Sequence, residues 1–284
     1  MPLNFNIDSW PWKFAVIFAL LGMRAFVSLL SPKDKDSQQS ETAKWLTETL
    51  DSAAIAIGLV LFIIQPFILQ AFFIPSGSME DTLRIRDRLL VSKLVYRLKE
   101  PQFQDVVVFK APPDALLNSN STEDTDFIKR CMGVPGDVIE VKDRQVFRNG
   151  KAIPEGYVKW SDGPAVADPF GSPDALSVSR QSYDMKIYDG AVYSRDYNAD
   201  GQPGLWKKNN VVVPEYDQNL ITGAKPGKVP PEKLLMLGDH RSDSNDSHVW
   251  GFVPRQNIVG KAICVFWPPT RLGLVDKMSQ AQAA

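Results

Sequence analysis

The stretch AFFIPSGSMEDTL, residues 71–83, lies where a long apolar segment of the chain ends and a strand-rich segment begins. The apolar run stops at Ile74, a proline follows, and Ser76 and Ser78 then flank a single glycine. A serine hydroxyl becomes a nucleophile when a neighbouring base removes its proton. The fold and the function are therefore inferred outward from this pair of serines.

The segment before the serines has the length and composition of a membrane span. Residues 53–74 contain no charged side chain over 22 positions. As an α-helix they would extend roughly 33 Å, enough to cross the hydrocarbon core of a bilayer. A buried core helix is the alternative. Residues 14–30 form a weaker apolar run that Arg24 interrupts, so a first span and an interfacial helix both remain open. The sequence predicts a membrane anchor over residues 1–74, with transmembrane helices at about 14–30 and 53–74.

Basic residues around these segments predict the orientation. The connecting segment carries Lys33, Lys35 and Lys44, whereas only Lys13 precedes the first apolar run. Loops rich in lysine and arginine are retained in the cytoplasm. We therefore expect the connector in the cytoplasm and the chain beyond the second segment outside it.

The remaining chain has the pattern of an antiparallel β domain. Short apolar runs alternate with turns, as is typical of strands, at residues 88–96, 105–110, 127–134, 137–151, 233–239 and 260–267. Asn149-Gly150 is a hairpin turn signal. Residues 152–232 are polar and rich in turns, which indicates an inserted β subdomain. We expect a mainly β catalytic core over 75–151 and 233–270, and a tail over 271–284 in which residues 276–284 are disordered.

Composition excludes several classes of partner. The net charge of −1 argues against nucleic acid binding. Two cysteines, Cys131 and Cys264, are too few for a disulfide scaffold, and two histidines exclude a His-rich metal site. Asp196–Gly201 resembles half of a calcium loop, but the twelfth position is Lys207 instead of glutamate, which favours a solvated turn. We expect no metal and no cofactor.

Two kinds of base are available to the serines. Both histidines, His240 and His248, lie within one short segment, so a Ser-His-Asp triad is conceivable. Lys129 is flanked by Phe127 and Ile128 on a predicted strand. Burial would favour its neutral amine, which can accept a proton. The residue types alone leave both bases open.

Four separated segments together resemble the bacterial type I signal peptidases, the leader peptidase family. They are PSGSMEDTL (75–83), DVVVF (105–109), FIKRCMGVPGD (127–137) and GDHRSDSNDSHVWGFVP (238–254). Their order and spacing agree with the family, and an apolar anchor precedes the first. The resemblance covers about residues 53–145 and 234–267; motifs cover neither the first apolar run nor most of the insert.

The resemblance implies roles for individual residues. Ser78 matches the nucleophile and Lys129 the general base. Ser76 matches the side-chain donor to the oxyanion, and Ser244 matches the group that orients the lysine amine. The same box contributes two supporting residues, Arg241 and Asp246. Positions that line pockets for short substrate side chains match Ile74, Pro75, Met79, Leu83, Phe127 and Ile128.

The resemblance also implies a function. The expected activity is that of a membrane-anchored serine endopeptidase that removes N-terminal signal peptides from secreted preproteins with small residues at −1 and −3. The expected location is the bacterial plasma (inner) membrane, with the catalytic domain extracytoplasmic and in contact with the lipid bilayer. This chain departs from the family at Arg86 (usually glycine), His240 (usually asparagine) and His248 (usually arginine). His248 would be a weaker partner for Asp246.

Two rival functions are weighed against this one. One rival is a soluble Ser-Lys self-cleaving protease like the SOS repressors. Those proteins have a DNA-binding domain in front, whereas this chain has an apolar anchor. A non-enzymatic membrane-anchored β domain would merely bind exported proteins. That reading requires Ser78, Lys129 and Ser244 to be coincidental.

Overall fold

The computed structural model describes residues 10–30, 41–116, 125–161, 182–198 and 200–281. The chain divides into two compact units, Met1–Gln70 and Ala71–Ala284.

The first unit is helical. It contains α1 (Trp10–Leu30) and α2 (Glu41–Leu59), and α2 continues as a π-helix over Val60–Ile68. Pro66 lies in the π-helix, where its missing N–H removes one helical hydrogen bond. Within the described part of the chain, one helix is long and apolar enough to cross a membrane by length and composition, Lys44–Ile68, with a mean hydropathy of 2.0.

The second predicted span differs from the observed helix at both ends. The helix begins at Glu41 and its apolar part at Lys44, both before the predicted start, and it ends at Ile68. The following residues, Leu69–Phe73, form a strand that pairs with Arg88–Ser92. Their backbone groups are bonded to a neighbouring strand, so the helix cannot continue to residue 74. The other predicted span, residues 14–30, lies within α1.

The second unit is built from antiparallel strands and short helices. The strands are β1 (Leu69–Phe73), β2 (Arg88–Ser92), β3 (Val106–Lys110), β4 (Asp126–Gly133), β5 (Ile139–Lys142), β6 (Gln145–Arg148), β7 (Lys151–Ala152), β8 (Tyr183–Tyr188), β9 (Ala191–Asp196), β10 (Lys207–Lys208), β11 (Val211–Val212), β12 (Lys233–Leu237), β13 (Val253–Pro254), β14 (Ile258–Trp267) and β15 (Gly273–Leu274). The helices are α3 (Val95–Leu98), α4 (Pro113–Leu116), α5 (Glu215–Gly223), α6 (Ser247–Trp250) and α7 (Val275–Ala281).

These strands form two sheets. The first has the order β1-β2-β14-β3-β4-β12-β13, with β15 paired to β14. The second has the order β11-β10-β9-β8-β5-β6-β7. Neighbours such as β3 and β4, β4 and β12, and β5 and β8 pair antiparallel. The expectation of a mainly antiparallel β architecture is confirmed.

Both faces of the first sheet are buried, because side chains alternate along its central strands. On β3, Val107 and Phe109 enter one core cluster, whereas Val106 and Val108 enter another. A third cluster contains Leu235 of the first sheet and side chains of the second. The two sheets therefore share one core, which explains why they belong to one compact unit.

The boundary predicted for the inserted subdomain differs from the sheet boundary. The second sheet contains β5, β6 and β7, which precede residue 153, because Glu140 of β5 pairs with Lys186 of β8. The predicted turn at Asn149-Gly150 is confirmed, with φ of 52° and 78° between β6 and β7. Such left-handed pairs form the tight turns that suit twisted hairpins.

Two further expectations were wrong. The end of the predicted strand at 88–96 is the helix α3. The segment predicted to be disordered, residues 276–284, contains most of α7, in which Val275 and Ser279 are buried. Val275 packs in the same cluster as Met79 and Leu83, and this packing orders the helix. Residues 282–284 lie outside the described part of the chain.

Candidate active site

Strand β4 delivers Lys129 to the interior. The strand lies between β3 and β12 in the sheet, and Lys129 has no exposed surface. The ammonium nitrogen of Lys129 is 5.7 Å from the ring centre of Phe127, two residues away on the same strand face. An apolar setting of this kind disfavours a charged side chain unless it has a partner.

That partner is the hydroxyl of Ser78. Nζ of Lys129 lies 2.7 Å from Oγ of Ser78, and both side chains are buried. The turn that carries Ser78 is fixed because Met79 and Leu83 have no exposed surface and anchor it in the core. The structure thus brings the two predicted catalytic residues together, while their chemical roles remain a prediction.

Ser76 lies beside the nucleophile candidate. Its hydroxyl oxygen is 3.3 Å from that of Ser78. The predicted oxyanion donor is therefore next to the hydroxyl that would attack.

A buried ion pair missed at the sequence level joins three of the four motif segments. Arg130 Nε and Nη2 donate to the two carboxylate oxygens of Asp239, at 2.8 and 2.6 Å. The Thr82 hydroxyl donates to the same carboxylate at 2.6 Å. Burial acts to lower the pKa of Arg130, but the charge of Asp239 outweighs it and raises that pKa. All three residues stand inside the quoted motifs, but only the tertiary structure shows that they meet.

Asp246 organises the fourth segment from within the core. Its carboxylate accepts hydrogen bonds from the Gly238 N–H at 2.8 Å and the His248 N–H at 3.1 Å, and contacts His248 Nδ1 at 2.6 Å. Burial acts to raise the pKa of Asp246, but His248 and these hydrogen bonds lower it below its ordinary value. The expected contact between Asp246 and His248 is present.

Arg241 also has the supporting position expected of it. Its guanidinium is buried, donates to the Gly238 carbonyl at 2.9 Å and pairs with Glu155 at 2.5 Å. It thereby holds the segment before Ser244 against the residues that follow β7.

Ser244 does not make the predicted hydrogen bond to Lys129. Its hydroxyl is buried, and its hydrogen bond to the Asp246 carboxylate helps to lower the pKa of Asp246. It packs against Gly238, where an added Cβ would lie 2.2 Å from Ser244 Oγ and 2.6 Å from the Ser78 carbonyl oxygen. The absence of a side chain at Gly238 is what allows Ser244 and the nucleophile turn to approach each other.

The six predicted pocket positions divide into two groups. Met79 and Leu83 have no exposed surface, so direct contact with a substrate is not supported for them. Ile74 and Phe127 are also buried in core clusters. Pro75 is exposed and Ile128 is half-buried, which leaves these two at the surface; the full set is Ile74, Pro75, Met79, Leu83, Phe127 and Ile128.

The two histidines, which are the alternative bases, make their side-chain contacts with other residues. His240 Nε2 lies 2.6 Å from the Ser161 hydroxyl. The ring of His248 stacks on Tyr183 with centroids 4.0 Å apart, and its Nδ1 meets Asp246. Of the two candidate kinds of base, Lys129 is the one whose side chain contacts the Ser78 hydroxyl in the hydrogen bonds described above.

One cavity lies away from the serine. Its volume is about 330 Å³, and its lining includes Arg130, Tyr157, Lys261 and Ser279. Its basic groups are already paired, Arg130 with Asp239 and Lys261 with Asp105 at 2.6 Å.

The described residues form neither a candidate metal cluster nor a disulfide. Over the described ranges, no group of three or more His, Cys, Asp or Glu side chains is arranged to hold a metal ion. Lys207 pairs with Asp196 at 2.8 Å in the calcium-like turn. Both Cys131 and Cys264 are free thiols.

A family profile described as signal peptidase, peptidase S26, matches residues 46–267, more than half of the chain. The chain belongs to this family. A probable signal peptidase I-2 from Synechocystis sp. is 34% identical over 252 residues, 88% of this chain and 85% of its own length. The signal peptidase I of Leptolyngbya laminosa is 31% identical over 85% of this chain and 90% of its own. A signal peptidase I crystal structure from Enterococcus faecalis matches 57% of this chain and 97% of its own at 23% identity, with a TM-score of 0.30. Signal peptidases I cleave signal peptides from preproteins, so the serine and lysine described above lie in a peptidase chain.

Proposed function

We propose that this chain is a membrane-anchored serine endopeptidase that removes signal peptides from secreted preproteins, with Ser78 as nucleophile and Lys129 as general base. The observation that carries the proposal is the 2.7 Å contact between the buried Lys129 Nζ and Ser78 Oγ. In the reactive form the neutral amine of Lys129 accepts the hydroxyl proton.

The chemistry then runs in two stages. Ser78 Oγ attacks the scissile carbonyl, and the Ser78 N–H with the Ser76 hydroxyl stabilises the oxyanion. Collapse of the tetrahedral intermediate breaks the peptide bond, and protonated Lys129 gives its proton to the leaving amine of the mature protein. Lys129 then takes a proton from water, which hydrolyses the ester on Ser78 and releases the signal peptide.

Cleavage of a model preprotein tests the proposal. Purified enzyme in lipid vesicles is expected to release a mature protein whose first residue follows the −1 position. Ser78→Ala is expected to release none, while Ser76→Ala should keep part of the activity, since one oxyanion donor contributes about 10²–10³-fold. Full activity of Ser78→Ala would refute the proposed nucleophile.

Specificity for small residues follows from packing beside the dyad. Met79 and Leu83 are fully buried, and Ile128 is half-buried at the edge of their cluster. A bulky −1 side chain beside the dyad would have to displace Ile128, which packs on this core. We expect a preprotein with Ala at −1 and −3 to be cut, and the same preprotein with Phe at −1 to be cut about 5- to 150-fold more slowly, since overpacking costs roughly 1–3 kcal/mol. Equal rates for the two substrates would contradict this expectation.

Membrane placement is supported by exposed apolar side chains. In the second unit, β1, β14 and the residues around β15 expose Phe73, Trp267, Leu272 and Leu274. Aromatic residues of this kind suit the interface between lipid and water. Together with the apolar helix Lys44–Ile68, they support an enzyme that meets its substrate at the bilayer surface of a bacterial plasma membrane.

The orientation has its own test. Because the connector carries the basic residues, residues 75–284 are expected outside the cytoplasm. Protease added to intact spheroplasts should digest this region, and antibody to the C-terminal segment should follow the loss. Complete protection in intact spheroplasts, with digestion only after lysis, would reverse the orientation.

A further inference from the structure

His240 is joined to the nucleophile turn through its main chain. Its N–H donates to the carbonyl oxygen of Ser78 at 3.1 Å. On its other side, the Lys159 N–H donates to the Asp239 carbonyl and the Arg241 N–H donates to the Lys159 carbonyl, each at 2.9 Å. Lys159 therefore pairs with His240 in a parallel β-bridge, and His240 in turn supports the backbone of Ser78.

The imidazole strengthens this connection. Its Nε2 lies 2.6 Å from the Ser161 hydroxyl, and the Ser161 N–H donates to Ser242 Oγ at 2.7 Å. The His240 side chain is only 9% exposed. These contacts thus hold the residues around Ser161 against the fourth motif, residues 238–254.

The other ring nitrogen faces two carboxylates without touching them. Nδ1 of His240 is buried and is 3.9 Å from both Glu80 Oε2 and Asp243 Oδ2. A hydrogen bond with the Gly77 backbone also acts to raise the pKa of this ring. Lys159 Nζ pairs with the same Glu80 oxygen at 3.1 Å. A lone pair on Nδ1 would point at negative charge, so the neutral ring carries its proton there. Nε2 then accepts the hydroxyl proton of Ser161.

We propose that His240 is a positioning residue that locks the turn of Ser78 through Ser161, and that the lock requires a neutral imidazole. This inference rests on the proposed role of Ser78 as nucleophile. Protonation would convert Nε2 into a donor, so the Ser161 hydroxyl would have to turn round. The new charge would also repel Lys159 and draw Glu80, two residues from Ser78, away from its present partner.

Burial favours the neutral form of the His240 imidazole, which the proposal requires. Burial lowers the pKa of His240 from its ordinary value of 6.5, Asp243 and Glu80 oppose this, and Lys159 reinforces it. The folded protein therefore binds this proton less readily than the unfolded chain. The stabilising contribution is complete above about pH 6.5 and is lost as pH falls below that value.

Replacing His240 with asparagine or glutamine separates the contact with Ser161 from the titration of the imidazole. Glutamine places its amide near the position of Nε2 and can reach Ser161, whereas asparagine reaches only the position of Nδ1. Neither residue titrates. At alkaline pH, His240→Asn and Ser161→Ala are expected to lower kcat by about tenfold with KM changed less than about twofold, because misplacement of a reacting group affects the chemical step. His240→Gln is expected to restore most of kcat.

The pH profile provides the readout that a structural role alone would not change. Below the pKa of His240, log kcat/KM of the wild-type enzyme should rise with pH more steeply than that of His240→Gln, by about one unit of slope, because His240 must lose a proton. The matched variant His248→Gln should keep the wild-type slope.

Two outcomes would overturn the proposal. One is His240→Asn with wild-type kcat and slope, and the other is a slope that changes with His248→Gln but not with His240→Gln. Ser78→Ala is assayed in parallel. If it remains active, the proposed nucleophile is wrong; if it is inactive and the His240 variants behave as wild type, only the positioning role is wrong.

Discussion

Replacing Lys129 with methionine is expected to lower kcat/KM for preprotein cleavage by about 10⁴-fold or more, the loss seen when a nucleophile–base pair is broken. The amine of Lys129 is 2.7 Å from the Ser78 hydroxyl. Without it, no base lies ready to take the proton of Ser78. Methionine keeps most of the apolar stem in the buried site, so the fold should persist; near-UV circular dichroism and a thermal melt provide the control.

Further variants at the same position sharpen this test. Lys129→Arg should also be inactive, because a guanidinium does not lose its proton at workable pH. Lys129→Ala should be inactive too, and less stable because it leaves a cavity. Near-normal activity of Lys129→Met, together with loss of activity in His240→Ala or His248→Ala, would show that the base is a histidine.

Replacing Asp239 with asparagine is expected to lower the free energy of unfolding by about 3–5 kcal/mol. This is the largest loss of stability expected for any of the substitutions named. Asp239 is the shared partner of Arg130 and Thr82, and neither member of the ion pair is more than 2% exposed. The variant leaves the Arg130 guanidinium buried beside a neutral group. Urea denaturation monitored by tryptophan fluorescence measures the change.

A surface pair supplies the matched comparison. Lys207 and Asp196 form an ion pair in which both side chains are about a quarter exposed, 29% and 24%. Lys207→Ala should therefore cost no more than about 1 kcal/mol. Equal losses for Asp239→Asn and Lys207→Ala would mean that the buried network does not hold the motif segments together.

Local sequence patterns were sufficient to predict much of the fold. Strands β3 and β4 were predictable because their apolar residues form short runs bounded by turns, and Asn149-Gly150 specified its hairpin because both residues accept positive φ. Other features depend on distant partners. Val275 orders α7 by packing with residues near the nucleophile turn, and β5 joins the second sheet by pairing with β8. No local pattern encodes those contacts.

The candidate site shows the same division. Motif resemblance identified Ser78 and Lys129, which the structure brings within hydrogen-bonding distance. It also implied a bond from Ser244 to Lys129 that is not formed, because the Ser244 hydroxyl packs against Gly238 and interacts with Asp246. Matching a motif position assigns a residue to a region, whereas its side-chain direction depends on packing around it.

The acyl-enzyme tests the central claim most directly. A peptide ester that ends in alanine, with a good leaving group, should acylate the enzyme faster than water removes the acyl group. Rapid acid quench, digestion and tandem mass spectrometry should then locate the acyl peptide on the Ser78 hydroxyl, and Lys129→Met should show no such adduct. An adduct on a different residue, or an equal yield of Ser78 adduct in Lys129→Met, would contradict the Ser78–Lys129 account.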